Sequence, residues 1–142
     1  MGNKDVVRRL VDECVNPHRA DLLPQFVGGD LRMHPGTPGA APDTVGLDGL
    51  RTAFDRFRTT FPDLHITLEE MVEDGELVAC RWTATGTHSG ELAGIAPTGT
   101  AVRWSGTDMY RIVDRRIVEW WRNDDFIWLL RQLGRDLIPA LR

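Results

Sequence analysis

Three observations predict an α+β fold, with N-terminal helices packed on one face of a strongly curved, antiparallel or mixed sheet and capping a pocket. Apolar residues recur at helical spacing through the first sixty positions. From residue 63 the period changes to two. Turn signals then cut the second half into long strands in hairpin order, followed by a short closing helix. The 142 residues suit one domain, spanning 1–142.

The elements follow in order. Val6, Val7, Leu10, Val11 and Cys14 mark one face of a helix over 4–15, which Asn16–Pro17 ends. Ala20 to Phe26 form a short second helix or turn, and "DLRMHPG" (30–36) reads as a brief strand stopped by Pro35 and Gly36. "TPGAAPDTVG" is a loop by composition. Leu47, Leu50, Phe54, Phe57 and Phe61 stripe a long helix over 46–60, closed by Pro62. These phenylalanines are core by default, and Phe54 is also placed to wall a pocket.

Strand 64–73 turns at Asp74–Gly75 into strand 76–88, and "ELAGIAPTGT" is a Gly- and Pro-punctuated loop. Strand 101–113 turns at Asp114–Arg115 into strand 116–124, and a helix over 126–133 ends at Gly134.

Composition narrows the function. A net charge of −4 and a pI near 5.5 disfavour nucleic acid, whose phosphates call for a basic face. Lys4 is the one lysine and sits in the first helical turn, so Schiff-base chemistry is not expected. There is no Gly-rich phosphate loop, and His18, His34, His65 and His88 are scattered without metal-ligand spacing. Neither cofactor nor metal is therefore expected. Cys14 and Cys80 lie on apolar stripes as small core residues of a reducing compartment. With no signal-like N-terminus and no apolar run of about 18 residues, the expected place is the cytoplasm, away from membranes.

Strand parity proposes a pocket face. In 116–125 one face carries Ile117, Glu119, Trp121, Asn123 and Asp125; the other carries Val118, Trp120, Arg122 and Asp124. In 101–113 Val102, Trp104, Gly106, Asp108, Tyr110 and Ile112 share a mostly apolar face. A carboxylate such as Asp108 amid aromatics is paired, protonated or functional. Strand 76–88 is apolar enough on both faces to suggest that a second copy covers one of them, as in a homodimer. Parity does not say which face of that strand lines the pocket, and a bulge would reverse it locally.

The stretches "FPD" (61–63), "RWTATGTHSG" (81–90), "GIAPTG" (94–99) and "DMYRIVDRRIVEWW" (108–121), with Asp125 before "LLRQLG", resemble the SnoaL-like polyketide cyclases of the nuclear transport factor 2-like, or cystatin-like, superfamily. The resemblance covers nearly the whole chain and is most specific in its C-terminal half. It implies a cone-shaped α+β fold and a cofactor-independent enzyme that closes a ring in a hydrophobic polyketide-type intermediate by aldol-type chemistry. A pocket aspartate would serve as acid and base. The family pattern I-x-E-x-W-x-x-x-D falls on Ile117, Glu119, Trp121 and Asp125. The related limonene epoxide hydrolases have acids where Thr83 and Asn123 stand here, which argues against epoxide hydrolysis by that triad.

Each candidate has a bland rival. Asp125 is either the catalytic acid–base or the N-cap of the last helix. Asp108 is a second pocket acid or a structural partner of Arg81 or Arg103. Arg81 either stabilises an enolate or pairs with Glu119. His34 relays protons or is structural, while His88 contacts substrate or anchors its loop. Trp104, Tyr110 and Trp121 stack on a flat ligand or fill the core, and Asn123 offers a hydrogen bond. Two readings rival ring closure: hydroxylation, hydrolysis or isomerisation of a similar substrate, and ligand binding without catalysis.

Overall fold

The computed structural model describes residues 2–35 and 44–135. Helix α1 (Asn3–Arg9) continues without a break into a π-helical stretch, Leu10–Val15. The single helix expected over 4–15 is thus present, but its second half is wound one residue wider per turn, as in the Asn16 amide donating to the Val11 carbonyl at 2.9 Å. A 3₁₀ helix, Ala20–Gln25, precedes strand β1 (Val27–Pro35), which starts three residues earlier than the sequence suggests. Most of the expected 37–46 loop lies outside the described residues. The short β2 (Thr44–Val45) and the long helix α2 (Gly46–Thr60) follow.

The strands come next: β3 (His65–Asp74), β4 (Leu77–Thr87), β5 (Ala101–Val113) and β6 (Arg116–Asp124), with α3 (Phe126–Gln132) closing the described chain. Among the described residues they form one six-stranded sheet in the order β2-β1-β6-β5-β4-β3. β3 to β6 are antiparallel neighbours, whereas β1 lies parallel to β6, so the sheet is mixed as expected. The hairpin turns fall where the dipeptides put them: Gly75 has φ 59° and Asp114–Arg115 have φ 51° and 63°, the left-handed pair that a tight hairpin needs.

Two irregularities in this ladder decide where side chains point. Arg111 pairs with Glu119 but Ile112 with Ile117, so Val118 is an extra residue on β6. The partner strand is irregular at the same place, where Val27 pairs with Ile117 and Arg32 with Glu119. β4 and β5, by contrast, stay in register without a break from Leu77–Arg111 to Thr87–Ala101.

The even positions of β4 and β5 turn inward, burying Val78, Cys80, Trp82, Ala84, Val102, Trp104, Tyr110 and Ile112 against the helices. Both thiols are buried and free, and burial pushes each up to about 11, so they are inert core groups. The opposite sheet face stays partly open, with Met109 and Val113 exposed on it. No helix among the described residues is long and apolar enough to cross a membrane.

Candidate active site

A cavity of about 100 Å³ opens between the helices and the inner face of the sheet, several times what one water needs. The π-helical stretch gives it Leu10, Val11 and Val15, and α2 gives it Leu50, Phe54 and Phe57. The sheet supplies Trp82 from β4, Trp104, Asp108 and Tyr110 from β5, and Trp120 and Arg122 from β6. His18, Asp55 and Arg58 are its polar lining on the helical side.

Asp108 is the chemical centre of this cavity. Its side chain is only 4 % exposed. Trp82 Nε1 donates to Oδ1 at 3.0 Å, and Trp120 Nε1 donates to Oδ2 at 2.9 Å. The Tyr110 hydroxyl lies 3.5 Å from Oδ2, and Arg122 Nε lies 4.0 Å away, near enough for charge but too far for a hydrogen bond. Burial pushes the Asp108 carboxyl above the usual carboxylate range; Arg122 and the two indoles oppose that shift without cancelling it, and the charge of Asp124 adds to it. Burial, and then Asp108, pushes the Tyr110 phenol well above 10, so it is a neutral donor.

Arg122 completes the cluster. Burial alone would loosen its proton, but Asp124 and Asp108 hold the guanidinium above its ordinary range. It donates to both oxygens of Asp124, at 3.3 and 3.1 Å, and lies 5.1 Å over the Phe57 ring. Asp124 is itself buried, its side chain 3 % exposed. One cation therefore faces two buried acids, Asp124 in hydrogen-bond contact and Asp108 at 4.0 Å.

The cavity brings together four of the residues singled out from sequence: Asp108, Trp104, Tyr110 and Phe54. It corrects the parity of β6. Because Val118 bulges, Trp120, Arg122 and Asp124 turn inward, while Glu119, Trp121, Asn123 and Asp125 do not line the cavity. Asp125 is exposed and caps α3, its Oδ1 accepting from the Trp128 amide at 3.1 Å. Asn123 is exposed as well.

Trp121 stacks on His34 on the outer face, the ring centres 5.5 Å apart, and His34 Nε2 lies 2.7 Å from Glu119. Arg81 is exposed and bound to Glu70 at 2.6 Å, away from the cavity lining and paired with Glu70 where Glu119 was expected. His88 is buried outside the cavity. Its Nδ1 accepts from the Thr98 amide at 3.2 Å, which leaves Nε2 carrying the proton and makes this histidine an anchor of the 89–100 loop.

Sequence reasoning missed Trp82, Trp120 and Arg122 as cavity groups, and Asp124 as the buried partner of Arg122. For Trp82 a signal existed, since it shares the even face of β4 with Cys80 and Ala84. For the three β6 residues the bulge hid it.

The SnoaL-like polyketide cyclase family model matches residues 5–133. The aklanonic acid methyl ester cyclase of Streptomyces peucetius is 30 % identical over 133 residues, covering 92 % of this chain and 89 % of that protein. Among solved structures, the candidate polyketide cyclase IdmH of Streptomyces antibioticus is 34 % identical with a TM-score of 0.83, covering 95 % of this chain and all of that one. The candidate hydroxylase AclR of Streptomyces galilaeus is 25 % identical with a TM-score of 0.80, covering 98 % and 86 %. A match over residues 5–133, and a relative 30 % identical across nearly all of both chains, place the chain in a family: it belongs to the SnoaL-like polyketide cyclases.

Proposed function

We propose that this protein closes a ring in a hydrophobic polyketide-type substrate by aldol-type cyclisation, with Asp108 as its acid–base group. Ionised Asp108 takes a proton from the carbon alpha to a carbonyl, leaving an enolate. The enolate carbon attacks a second carbonyl carbon, the new C–C bond forms, and the C=O pair moves onto oxygen. Asp108, now protonated, returns its proton to that alkoxide. Arg122 and the Tyr110 hydroxyl lie beside the place where negative charge develops. The apolar walls fold the substrate into reactive geometry, which is entropic help.

The observation that carries this reading is a buried carboxyl in an aromatic cavity, clasped by two indole N–H groups that support its ionised form. The similarity to aklanonic acid methyl ester cyclases supports the ring-closing direction. A second reading, hydroxylation of a similar substrate, draws on the likeness to AclR; product mass separates the two, since cyclisation leaves mass unchanged. The partly open outer face of the sheet supports assembly into a homodimer, which sedimentation equilibrium would test. The two free thiols fit a cytoplasmic setting.

Turnover of aklanonic acid methyl ester by Asp108→Asn and Asp125→Asn is the direct test. Asp108→Asn is expected to lose about 10²-fold or more in kcat while still binding ligand, and Asp125→Asn to keep its turnover. Full activity in Asp108→Asn overturns the assignment.

A further inference from the structure

Three tryptophans line the cavity, and their indole N–H groups are not in the same situation. Trp82 and Trp120 each donate to Asp108. Trp104, only 1 % exposed, has an Nε1–H that meets no acceptor in the protein. A buried indole N–H ordinarily finds a partner, because leaving it unmet forfeits its solvation. The ring cannot easily turn away: it packs on Phe61 with centroids 4.9 Å apart. Arg122 Nε is a second buried donor of the same cavity without a hydrogen-bond partner.

Two features give this pattern a direction. Among the described residues, the unmet buried polar groups of the cavity lining are both donors, so what the cavity lacks is acceptor oxygen. The two donors also stand apart. Trp104 and Asp108 are four residues along one face of β5, about 13 Å between their Cα atoms at the usual strand rise, and Arg122 sits at the Asp108 end, opposite it in the ladder.

We propose that Trp104 is a specificity-determining anchor whose Nε1–H donates to a carbonyl oxygen of the substrate, several bonds removed from the carbon that reacts at Asp108. The ligand class is then a flat apolar skeleton with at least two carbonyl oxygens, one at each end of the cavity. This rests on the reading of the cavity as the substrate site, and it adds a contact that the proton shuttle does not require. A remote hydrogen bond of this kind fixes which carbonyl faces Asp108, and so which ring closes.

The probes are 1-tetralone and tetralin, which share a fused bicycle and differ by one carbonyl oxygen. Their affinities are measured by titration calorimetry for the wild type and Trp104→Phe. The wild type is expected to prefer tetralone about tenfold, the worth of one hydrogen bond of about 1.4 kcal/mol. In Trp104→Phe that preference should fall to about twofold or less. In the wild type, tetralone but not tetralin should also move the Trp104 indole N–H resonance downfield, a readout that does not depend on how well the variant folds. An undiminished preference in Trp104→Phe, a still indole resonance, or no binding of either probe by the wild type overturns the proposal. Asp108→Asn keeps the two readings apart. Tetralone preference retained beside normal turnover in that variant removes only the Asp108 assignment. Lost turnover beside absent preference removes only the Trp104 anchor.

Discussion

A single methyl group at position 106 is predicted to disturb the Asp108 cluster by displacing the Trp82 ring. Gly106 lies opposite Trp82 in the β4–β5 ladder, and the Trp82 ring occupies the space a side chain at 106 would need. A Cβ there would overlap Trp82 Cζ2, lie 2.7 Å from Trp82 Cε2, and lie 2.6 Å from the Asn123 carbonyl. The missing side chain thus leaves room for the Trp82 ring, whose Nε1 donates to Asp108.

Gly106→Ala forces that ring to shift. Overpacking of this kind costs about 1–3 kcal/mol, and a weakened hydrogen bond to a charged group adds part of a further 1.5–3. The expected total is about 2–4 kcal/mol, or roughly a 10 °C fall in Tm. Urea denaturation of Gly106→Ala, Trp82→Phe and the double variant measures how much of the cost runs through the indole. Phenylalanine lacks the crowded atoms, so the double variant should cost at least about 1 kcal/mol less than the sum of the singles. The Asn123 carbonyl remains close, so relief is partial. The functional readout is the pH–rate profile. Trp82 helps hold the Asp108 carboxyl down, so losing its N–H should move the acidic limb to higher pH. Additive stabilities together with an unmoved limb would refute the reasoning.

Two further outcomes follow. Asp125→Ala removes the α3 cap and should cost about 1 kcal/mol with turnover unchanged, by calorimetry and steady-state kinetics; a loss of turnover comparable to Asp108→Asn would return Asp125 to the chemistry. The raised Asp108 carboxyl also has a signature in stability. In the folded chain it keeps a proton that the unfolded chain releases above its ordinary value of 3.8. Stability from this group is therefore full below that pH and is lost as pH rises through the folded value. The stability of the wild type minus that of Asp108→Asn should fall as pH rises from about 4, and a flat or rising difference in urea denaturation would contradict it.

The helices and strands were legible in the sequence because period and punctuation agree. Leu50 and Phe54 repeat at helical spacing before Pro62, and Asp74–Gly75 and Asp114–Arg115 sit between alternating runs. Asp108 was legible as an odd acid because β5 keeps one register against β4 along its whole length, so parity counted from any residue gives the same face. On β6 parity misleads. Ile117 is inward, yet the count of two carries it to Glu119, Trp121 and Asp125, none of which lines the cavity. Nothing in "RIVEWW" marks Val118 as a bulge, because a bulge is a property of the pairing with Arg111 and Ile112, not of the residues themselves. The capping role of Asp125 was visible as one of two alternatives. Choosing between them needed the direction of a side chain, which local sequence does not encode.

The bulge at Val118 also bears on how a catalytic role can be carried from one relative to another. Matching letters in an alignment preserves order along the chain, but it preserves facing only if every relative inserts its extra residue at the same place. The same residues paired without a bulge would present Trp121 and Asn123 to the interior where this chain presents Trp120 and Arg122. Loss of Val118 itself would leave Trp120 and Arg122 facing inward, so exchanging this charged wall for a neutral one takes a slip in pairing and no change of letters. Diversification of chemistry on this sheet need not wait for substitution at the cavity; it can proceed by slippage of one strand.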